Sequence, residues 1–195
     1  ILSTLLITKL NLFKKYIYFN NNLMFIPINY KILNNFELSN HEYLVDKKYY
    51  DLPCGKQEYY LYSYLSTFFN NKIILDIGTY TGRSAIALSH NENNDIITFD
   101  ITNHINNDQH QIYKKKNIKF IIGNVIDFLN DELIKKCSMI VIDIDHFGIN
   151  EKIILDKLEE LNFSGIILLD DIHHPSKEEN EKMQRLYENI NYQKY

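Results

Sequence analysis

Five short runs of residues suited to buried strands, separated by helix-length segments, constrain this chain more than any other feature. The runs are rich in β-branched side chains, which is typical of strands covered on both faces. They lie at Ile73–Leu75, Ile96–Phe99, Ile118–Ile122, Met139–Ile142 and Ile166–Leu169. We predict helices at Lys56–Phe69, Gly82–Ser89, Asp108–Lys116, Val125–Lys136, Ile149–Leu161 and Ser176–Ile190.

This alternation predicts the fold class. Strand–helix–strand units give parallel strands, and their crossover connections are right-handed. We therefore expect an α/β fold with a doubly wound, mainly parallel Rossmann-like sheet in strand order 3-2-1-4-5. Ligands of such sheets bind outside the carboxyl ends of the strands.

Composition and length narrow the classes of protein. The 195 residues are 45% apolar and 24% charged, which fits one globular domain. The regular alternation covers residues 55–195. We predict that residues 1–54 form an N-terminal extension and a candidate substrate lid, with no fold assigned to residues 25–53. Because Met24 is the first methionine, we expect residues 1–23 to be a non-native or loose extension.

Charge and cysteine usage exclude several partners. The net charge is −4 and the one short basic run is Lys114–Lys116, so a nucleic-acid partner is not expected. No run of 18 apolar residues exists, so we expect no membrane span. Cys54 and Cys137 are too few and too far apart for a disulfide framework or a zinc pattern. We predict a reducing compartment, the cytoplasm.

Acidic residues stand at or beside four of the predicted strand ends. They are Asp76, Asp100, Asp143 and the pair Asp170 and Asp171. A single such residue usually caps a helix or begins a turn. Four strand ends that meet at one edge of a parallel sheet instead indicate a ligand site.

The loop after the first strand predicts the kind of ligand. Asp76, Gly78 and Gly82 form the pattern D-x-G-x-x-x-G, which departs from the G-x-G-x-x-G of dinucleotide sites. An acid here favours a cationic amine over a diphosphate, and Ser84 at the helix start can receive a carboxylate. Asp100 can accept both hydroxyls of a ribose. An amino acid joined to a ribose is the chemistry of S-adenosylmethionine.

The segment Asp76-Ile-Gly-Thr-Tyr-Thr-Gly-Arg-Ser-Ala85, followed by Asp100, resembles motifs I and II of the class I S-adenosylmethionine-dependent methyltransferases. The variant of the motif with Tyr80 between the glycines is similar to that of the catechol and sugar O-methyltransferase branches. Many relatives carry aspartate where Asn124 stands. The resemblance implies a cofactor site made of Asp76, Gly78, Thr79, Tyr80, Gly82, Ser84, Asp100 and Asn124.

The same resemblance implies an acceptor site. Asp143, Asp170 and Asp171 match the metal-ligand positions of metal-dependent O-methyltransferases, and carboxylate oxygens favour Mg²⁺, Mn²⁺ or Ca²⁺. His146 stands where those enzymes have a general base. A histidine at this position resembles the branch that methylates sugar hydroxyls. The implied activity is O-methylation of a small-molecule, sugar or glycan hydroxyl, with His146 and Asp143 as catalytic residues. Related enzymes also retain the acids without a metal, so a metal-free version stays open.

Two other readings remain open, a non-catalytic Rossmann-like binding subunit and a nicotinamide oxidoreductase. Members of the methyltransferase family end with a sixth and a seventh strand, whereas this chain stops soon after Ile190. We therefore expect a C-terminally incomplete domain with an unpaired edge beside the fifth strand. Relatives commonly self-associate, which implies a homo-oligomer.

Overall fold

The computed structural model describes residues 5–7, 15–19, 22–26, 28, 30–38, 41–43, 50, 52–105, 107–170, 176–190 and 193–194. The strands are β1 (Leu5–Ile7), β2 (Lys15–Phe19), β3 (Asn22–Ile26), β4 (Ile73–Ile77), β5 (Asp95–Asp100), β6 (Ile118–Ile122), β7 (Cys137–Ile142), β8 (Ile166–Leu169) and β9 (Gln193–Lys194). The α-helices are α1 (Tyr30–Asn34), α2 (Pro53–Ser66), α3 (Arg83–Leu88), α4 (Asp131–Lys136), α5 (Ile149–Glu160) and α6 (Lys177–Asn189).

One sheet organises the molecule. Its strand order is β6-β5-β4-β7-β8-β1-β9, and every adjacent pair is parallel. The five central strands, β4 to β8, therefore have the order 3-2-1-4-5. Helices cover both faces, so the predicted α/β doubly wound fold is confirmed. None of the described helices combines the length and the hydropathy needed to cross a membrane.

Alternating side chains of the strands build two hydrophobic cores. Ile74 and Val141 point to the face covered by α1, α2 and α3. Leu75 and Ile140 point to the face covered by α4, α5 and α6. The central strands are apolar on both faces. The sequence of each is therefore a nearly continuous run of hydrophobic residues, as expected for parallel strands.

The edge beside the fifth strand differs from our expectation. Leu5–Ile7 lies along β8 in parallel, with Leu5 opposite Ile166. Gln193–Lys194 then pairs with Leu5–Ile7 on its outer side. The N-terminal segment thus occupies a position in which we predicted unpaired backbone. Backbone hydrogen bonding, which any sequence can supply, favours this pairing.

Local structure departs from the predicted helices in two places. The segment Asn107–Lys114 forms a 3₁₀-helix. The predicted helix Val125–Lys136 is divided into a 3₁₀ turn, Val125–Asp127, and the α-helix α4. The division follows from Asn130, whose Oδ1 accepts a hydrogen bond from the Leu133 N–H and begins a new helix. In the part of residues 25–53 that the structure describes, β3 completes a hairpin with β2 and α1 follows.

The register of the central strands brings their carboxyl ends to one level. Ile77 lies opposite Ile142, which in turn lies opposite Leu169. Beyond these ends, one more backbone hydrogen bond joins each pair of neighbouring strands. The Asp143 N–H donates to the Ile77 oxygen at 2.9 Å, and the Asp170 N–H donates to the Ile142 oxygen at 3.0 Å. Asp143 and Asp170 therefore emerge side by side.

Candidate ligand-binding and catalytic site

A cavity of about 720 Å³ opens at the carboxyl edge of the sheet. Its volume lies within the range of small-molecule sites. The loops after β4, β5, β6 and β7 all contribute to it. Among the residues predicted from the sequence, the cavity is lined by Gly78, Tyr80, Asp100, Asn124, Asp143 and His146. The structure therefore brings predicted cofactor residues and predicted catalytic residues to one cavity.

The other predicted cofactor residues are buried in the loop and the first helix turn rather than lining the cavity. Asp76 is fully buried, Thr79 and Ser84 are nearly so, and Gly82 is buried as the N-cap of α3. Thr79, Gly82 and Ser84 would therefore affect a ligand through the shape of the loop.

The two loop glycines have conformations that require glycine. Gly78 has φ 108° and Gly82 has φ 84°, both in the left-handed region. An ideal Cβ on Gly82 would lie 2.9 Å from the end of the Ile112 side chain. An ideal Cβ on Gly78 would overlap the backbone oxygen of Asp143. The loop therefore passes close to its neighbours, as the sequence pattern predicted.

Asp76 is the centre of a buried network of hydroxyl groups. Its Oδ2 accepts hydrogen bonds from Thr98 Oγ1 at 2.6 Å and from Ser84 Oγ at 3.0 Å. Thr98 Oγ1 also contacts Thr79 Oγ1. Because Thr98 has one hydroxyl hydrogen and donates it to Asp76, Thr79 must donate to Thr98. The network connects β4, β5 and the start of α3 beneath the loop.

The second oxygen of the same carboxyl group is different. Asp76 Oδ1 is buried and has no hydrogen-bond partner among the described residues. Burial raises the pKa of Asp76 to about 7, the hydrogen bonds from Thr98 and Ser84 oppose the rise, and the Asp100 charge adds to it. A buried acceptor without a donor is costly, so this oxygen marks a place where a positively charged donor would be stabilised.

Asp100 lies at the end of β5 and faces the cavity. Its Oδ2 accepts a hydrogen bond from the Tyr80 N–H at 2.8 Å, and its Oδ1 accepts one from the Thr102 N–H at 3.0 Å. An ionised carboxylate offers about four lone-pair sites, so acceptor capacity remains for two hydroxyl donors. Asp100 therefore both fixes the two adjoining loops and presents an acceptor to the cavity.

Asn124 follows β6 and has a structural role of its own. Its Oδ1 accepts a hydrogen bond from the Ile126 N–H at 3.1 Å and caps the 3₁₀ turn Val125–Asp127. The residue is exposed and lines the cavity. The cap fixes the direction of the loop where it borders the cavity.

Asp143 and His146 also line the cavity. His146 Nε2 lies 3.5 Å from Asp143 Oδ1, and the histidine is 18% exposed. His146 has φ 58°, a left-handed conformation that is uncommon outside glycine. An imidazole beside a carboxylate in a partly buried cavity is an arrangement suited to proton transfer.

An acid that sequence reasoning missed lies beside Asp143. Carboxylate oxygens of Glu58, Asp143 and Asp170 all lie within 4.8 Å of one another. The predicted metal ligand Asp171 lies outside the described residues. Glu58 lies in α2, three residues before Leu61 and four residues before Tyr62, which are both buried. An acid on the apolar face of that predicted helix was the signal that could have identified it.

Tyr50 and Tyr59 hold the start of α3. The Tyr50 hydroxyl donates a hydrogen bond to the backbone oxygen of Arg83, and the ring of Tyr50 stacks on Tyr59 with centroids 4.6 Å apart. Burial raises the pKa of Tyr59, while the adjacent Arg83 guanidinium and its hydrogen bond lower it. Tyr50 and Tyr62 are each 3% exposed, so they belong to the core.

Comparisons with known proteins add one distant likeness. No family model and no curated protein matches this chain. Among solved structures, the chain is similar to the S-adenosylhomocysteine-bound methyltransferase PaMTH1 of Podospora anserina. The identity is 16%, the match covers 82% of this chain and 74% of that chain, and the TM-score is 0.46. The arguments for function therefore rest on the residues of this chain.

Proposed function

We propose that this chain is an S-adenosylmethionine-dependent methyltransferase that acts on a hydroxyl group of a small molecule or glycan. The observation that carries the proposal is the shared cavity. Gly78, Tyr80 and Asp100 line it together with Asp143 and His146. A methyl donor and an acceptor must meet in such a space, because direct transfer requires the two reacting atoms to be in near contact.

The residues fit the cofactor at two separate points. Asp76 Oδ1 lacks a donor among the described residues, and the methionine end of the cofactor carries a cationic amine that can supply one. Asp100 keeps acceptor capacity for the two hydroxyls of a ribose. S-adenosylmethionine, when bound, supplies a methyl group on a positively charged sulfur. Asn124 lies on the cavity wall as a candidate contact for the adenine.

His146 would serve as the general base. An alcohol is a weak nucleophile while protonated, and a positioned base contributes about 10²–10⁴ in rate. The imidazole takes the hydroxyl proton while the oxygen forms its bond to the methyl carbon and the carbon–sulfur bond breaks. Asp143, whose Oδ1 lies 3.5 Å from His146 Nε2, stabilises the imidazolium that results.

A divalent cation fits the acidic side of the site. Asp143 and Asp170, with Asp171 as the third predicted ligand, would hold Mg²⁺, Mn²⁺ or Ca²⁺ through oxygen atoms. Glu58 lies within reach of the same ion. Such a cation would lower the pKa of the acceptor hydroxyl. Without it, His146 carries the proton transfer alone.

Calorimetric titration with S-adenosylhomocysteine tests the proposal. We expect saturable binding with one site per chain. No binding by the folded protein would contradict the cofactor assignment, and binding of NADH in its place would favour the oxidoreductase. If S-adenosylhomocysteine binds, a panel of sugars and phenols is then incubated with methyl-labelled S-adenosylmethionine. Binding without transfer to any member of the panel would favour the non-catalytic binding subunit.

A further inference from the structure

Glu151 is a buried acid that the chemistry above does not use. It lies in the first turn of α5, where the side chains of Ile149, Asn150 and Lys152 are exposed, yet it is only 1% exposed itself. Glutamate is almost never fully buried unless another group pairs with it, because desolvation of the carboxylate is costly. Its hydrogen-bond partner therefore indicates its role.

That partner is the backbone of His146. Glu151 Oε1 accepts a hydrogen bond from the His146 N–H at 2.8 Å. Burial raises the pKa of Glu151, and the N–H groups of Glu151 itself, His146 and Gly148 oppose the rise. Glu151 is the third helical residue after the N-cap Gly148, a position from which glutamate normally bonds to the N-cap itself. Here the carboxylate also reaches two residues further, and accepts the N–H of His146.

The segment that Glu151 holds contains two residues in the left-handed conformation, one of which is not a glycine. His146 has φ 58° and Gly148 has φ 77°. A left-handed conformation is unfavourable for a residue with a side chain, and it persists only where the surroundings impose it. An ideal Cβ on Gly148 would lie 3.2 Å from the Lys182 backbone oxygen. The loop thus packs closely against α6 at Gly148 and is bonded to the Glu151 carboxylate at His146.

We propose that Glu151 is a positioning residue for His146. Its buried carboxylate holds the His146 amide in the left-handed conformation and so keeps the imidazole beside Asp143 and at the cavity. A relaxed backbone at residue 146 would turn the side chain away from both. The catalytic consequence rests on the proposed function, whereas the geometric claim can be tested without it.

The experiment compares E151A and E151D with E151Q and with the control E159A, which removes an exposed acid from the same helix. The histidine ring signals are recorded by NMR, and the His146 signal among the seven histidines is assigned with H146N. Hydrogen exchange of the His146 amide is measured in parallel. E151Q keeps an oxygen acceptor of the same reach, and E151D retains the charge but is too short to reach the amide.

We expect E151Q and E159A to keep the wild-type His146 ring signal and amide protection. E151A and E151D should shift or broaden that signal and raise exchange of the His146 amide at least tenfold. A folded E151A or E151D with an unchanged signal and unchanged protection would overturn the proposal and leave Glu151 as a helix cap. If E151A does not fold, E151D decides the question.

The two proposals fail separately. If the wild-type protein does not bind S-adenosylhomocysteine, the proposed function is contradicted. The NMR comparison would still decide the role of Glu151. If the acceptor panel gives turnover, E151A should lower kcat about tenfold to a hundredfold while the KM for S-adenosylmethionine changes less than about twofold. E151Q should restore kcat, and an unchanged kcat in E151A would contradict the positioning role.

Discussion

The backbone oxygen of Asp143 fills the space that a side chain at Gly78 would need. An ideal Cβ at residue 78 would overlap that oxygen. Gly78 belongs to the loop that we propose for the cofactor, and Asp143 belongs to the acceptor side. The absence of one methyl group therefore lets the two loops of the site meet at van der Waals distance, which would bring the proposed donor and acceptor together.

We predict that Gly78→Ala destabilises the protein far more than Gly82→Ala does. At Gly78 the added methyl group meets backbone, so β4 or β7 must move, and overpacking of this kind costs about 3 kcal/mol or more. At Gly82 it meets the flexible end of Ile112, so the expected cost is about 1–2 kcal/mol from the left-handed φ. Denaturant unfolding measures both, and equal losses would contradict the close approach at Gly78.

The raised pKa of Asp76 predicts how stability depends on pH. The pKa is about 7 in the folded state and near 3.8 without burial. Between these values the folded protein binds the proton and the unfolded chain does not, so stability falls as pH rises from about 4 to about 7. Three pKa units correspond to about 4 kcal/mol. Unfolding free energies measured from pH 4.5 to pH 8 should show this decline.

The matched variant for this prediction is Asp76→Asn, which cannot ionise and still accepts hydrogen bonds from Thr98 and Ser84. Its stability relative to the wild type should increase with pH over the same interval. A constant difference between the two proteins would show that Asp76 keeps an ordinary pKa. S-adenosylhomocysteine should reduce the difference at pH 8, because its amine would pair with the ionised Asp76.

Asp100→Ala should weaken S-adenosylhomocysteine binding about tenfold to a hundredfold. Hydrogen bonds to a charged group contribute about 1.5–3 kcal/mol, and the variant removes the acceptor proposed for the ribose. Asp95→Ala is the control, since Asp95 is an exposed acid at the other end of β5. Calorimetry at one salt concentration gives both affinities. The ribose assignment fails if the two variants bind equally well.

His146→Asn should leave S-adenosylhomocysteine affinity within about twofold while lowering methyl transfer by about 10²–10⁴. Asparagine adopts the left-handed conformation readily, so the variant preserves the backbone at residue 146 while removing the imidazole. Transfer is followed with a labelled methyl group on whichever acceptor of the panel is active. Full activity in His146→Asn would exclude the histidine as the base.

Mn²⁺ binding, followed by electron paramagnetic resonance, separates the metal-dependent mechanism from the metal-free one. We expect the wild-type protein to bind one ion and Asp170→Asn to weaken that binding at least tenfold. Glu58→Gln should have a smaller effect of the same sign if Glu58 joins the ligands. Asp156→Asn, which changes an exposed acid on α5, is the control. Wild-type protein that binds no Mn²⁺ would favour His146 acting alone.

Much of the fold followed from local sequence. The apolar runs from Ile73 to Leu169 specified the strands, and the alternation with helical segments specified a parallel sheet in which Asp76, Asp100, Asp143 and Asp170 share one edge. These features are readable because side-chain periodicity reports burial directly. The glycine pattern of the loop likewise predicted tight backbone turns at Gly78 and Gly82.

The tertiary structure decided what depends on contacts between distant segments. The pairing of Leu5–Ile7 with β8 uses backbone hydrogen bonds, which leave no mark in the side-chain pattern. Glu58 reaches Asp143 and Asp170 only because α2 packs over that face of the sheet. From the sequence alone, Glu151 would be taken for a surface acid of α5. Its bond to the His146 amide depends on a loop in the left-handed conformation. Sequence by itself determined which elements form and which edge of the sheet carries the acids, because both follow from local periodicity. Packing determined which acids are buried, paired or left without a donor, because these properties depend on the distances between elements.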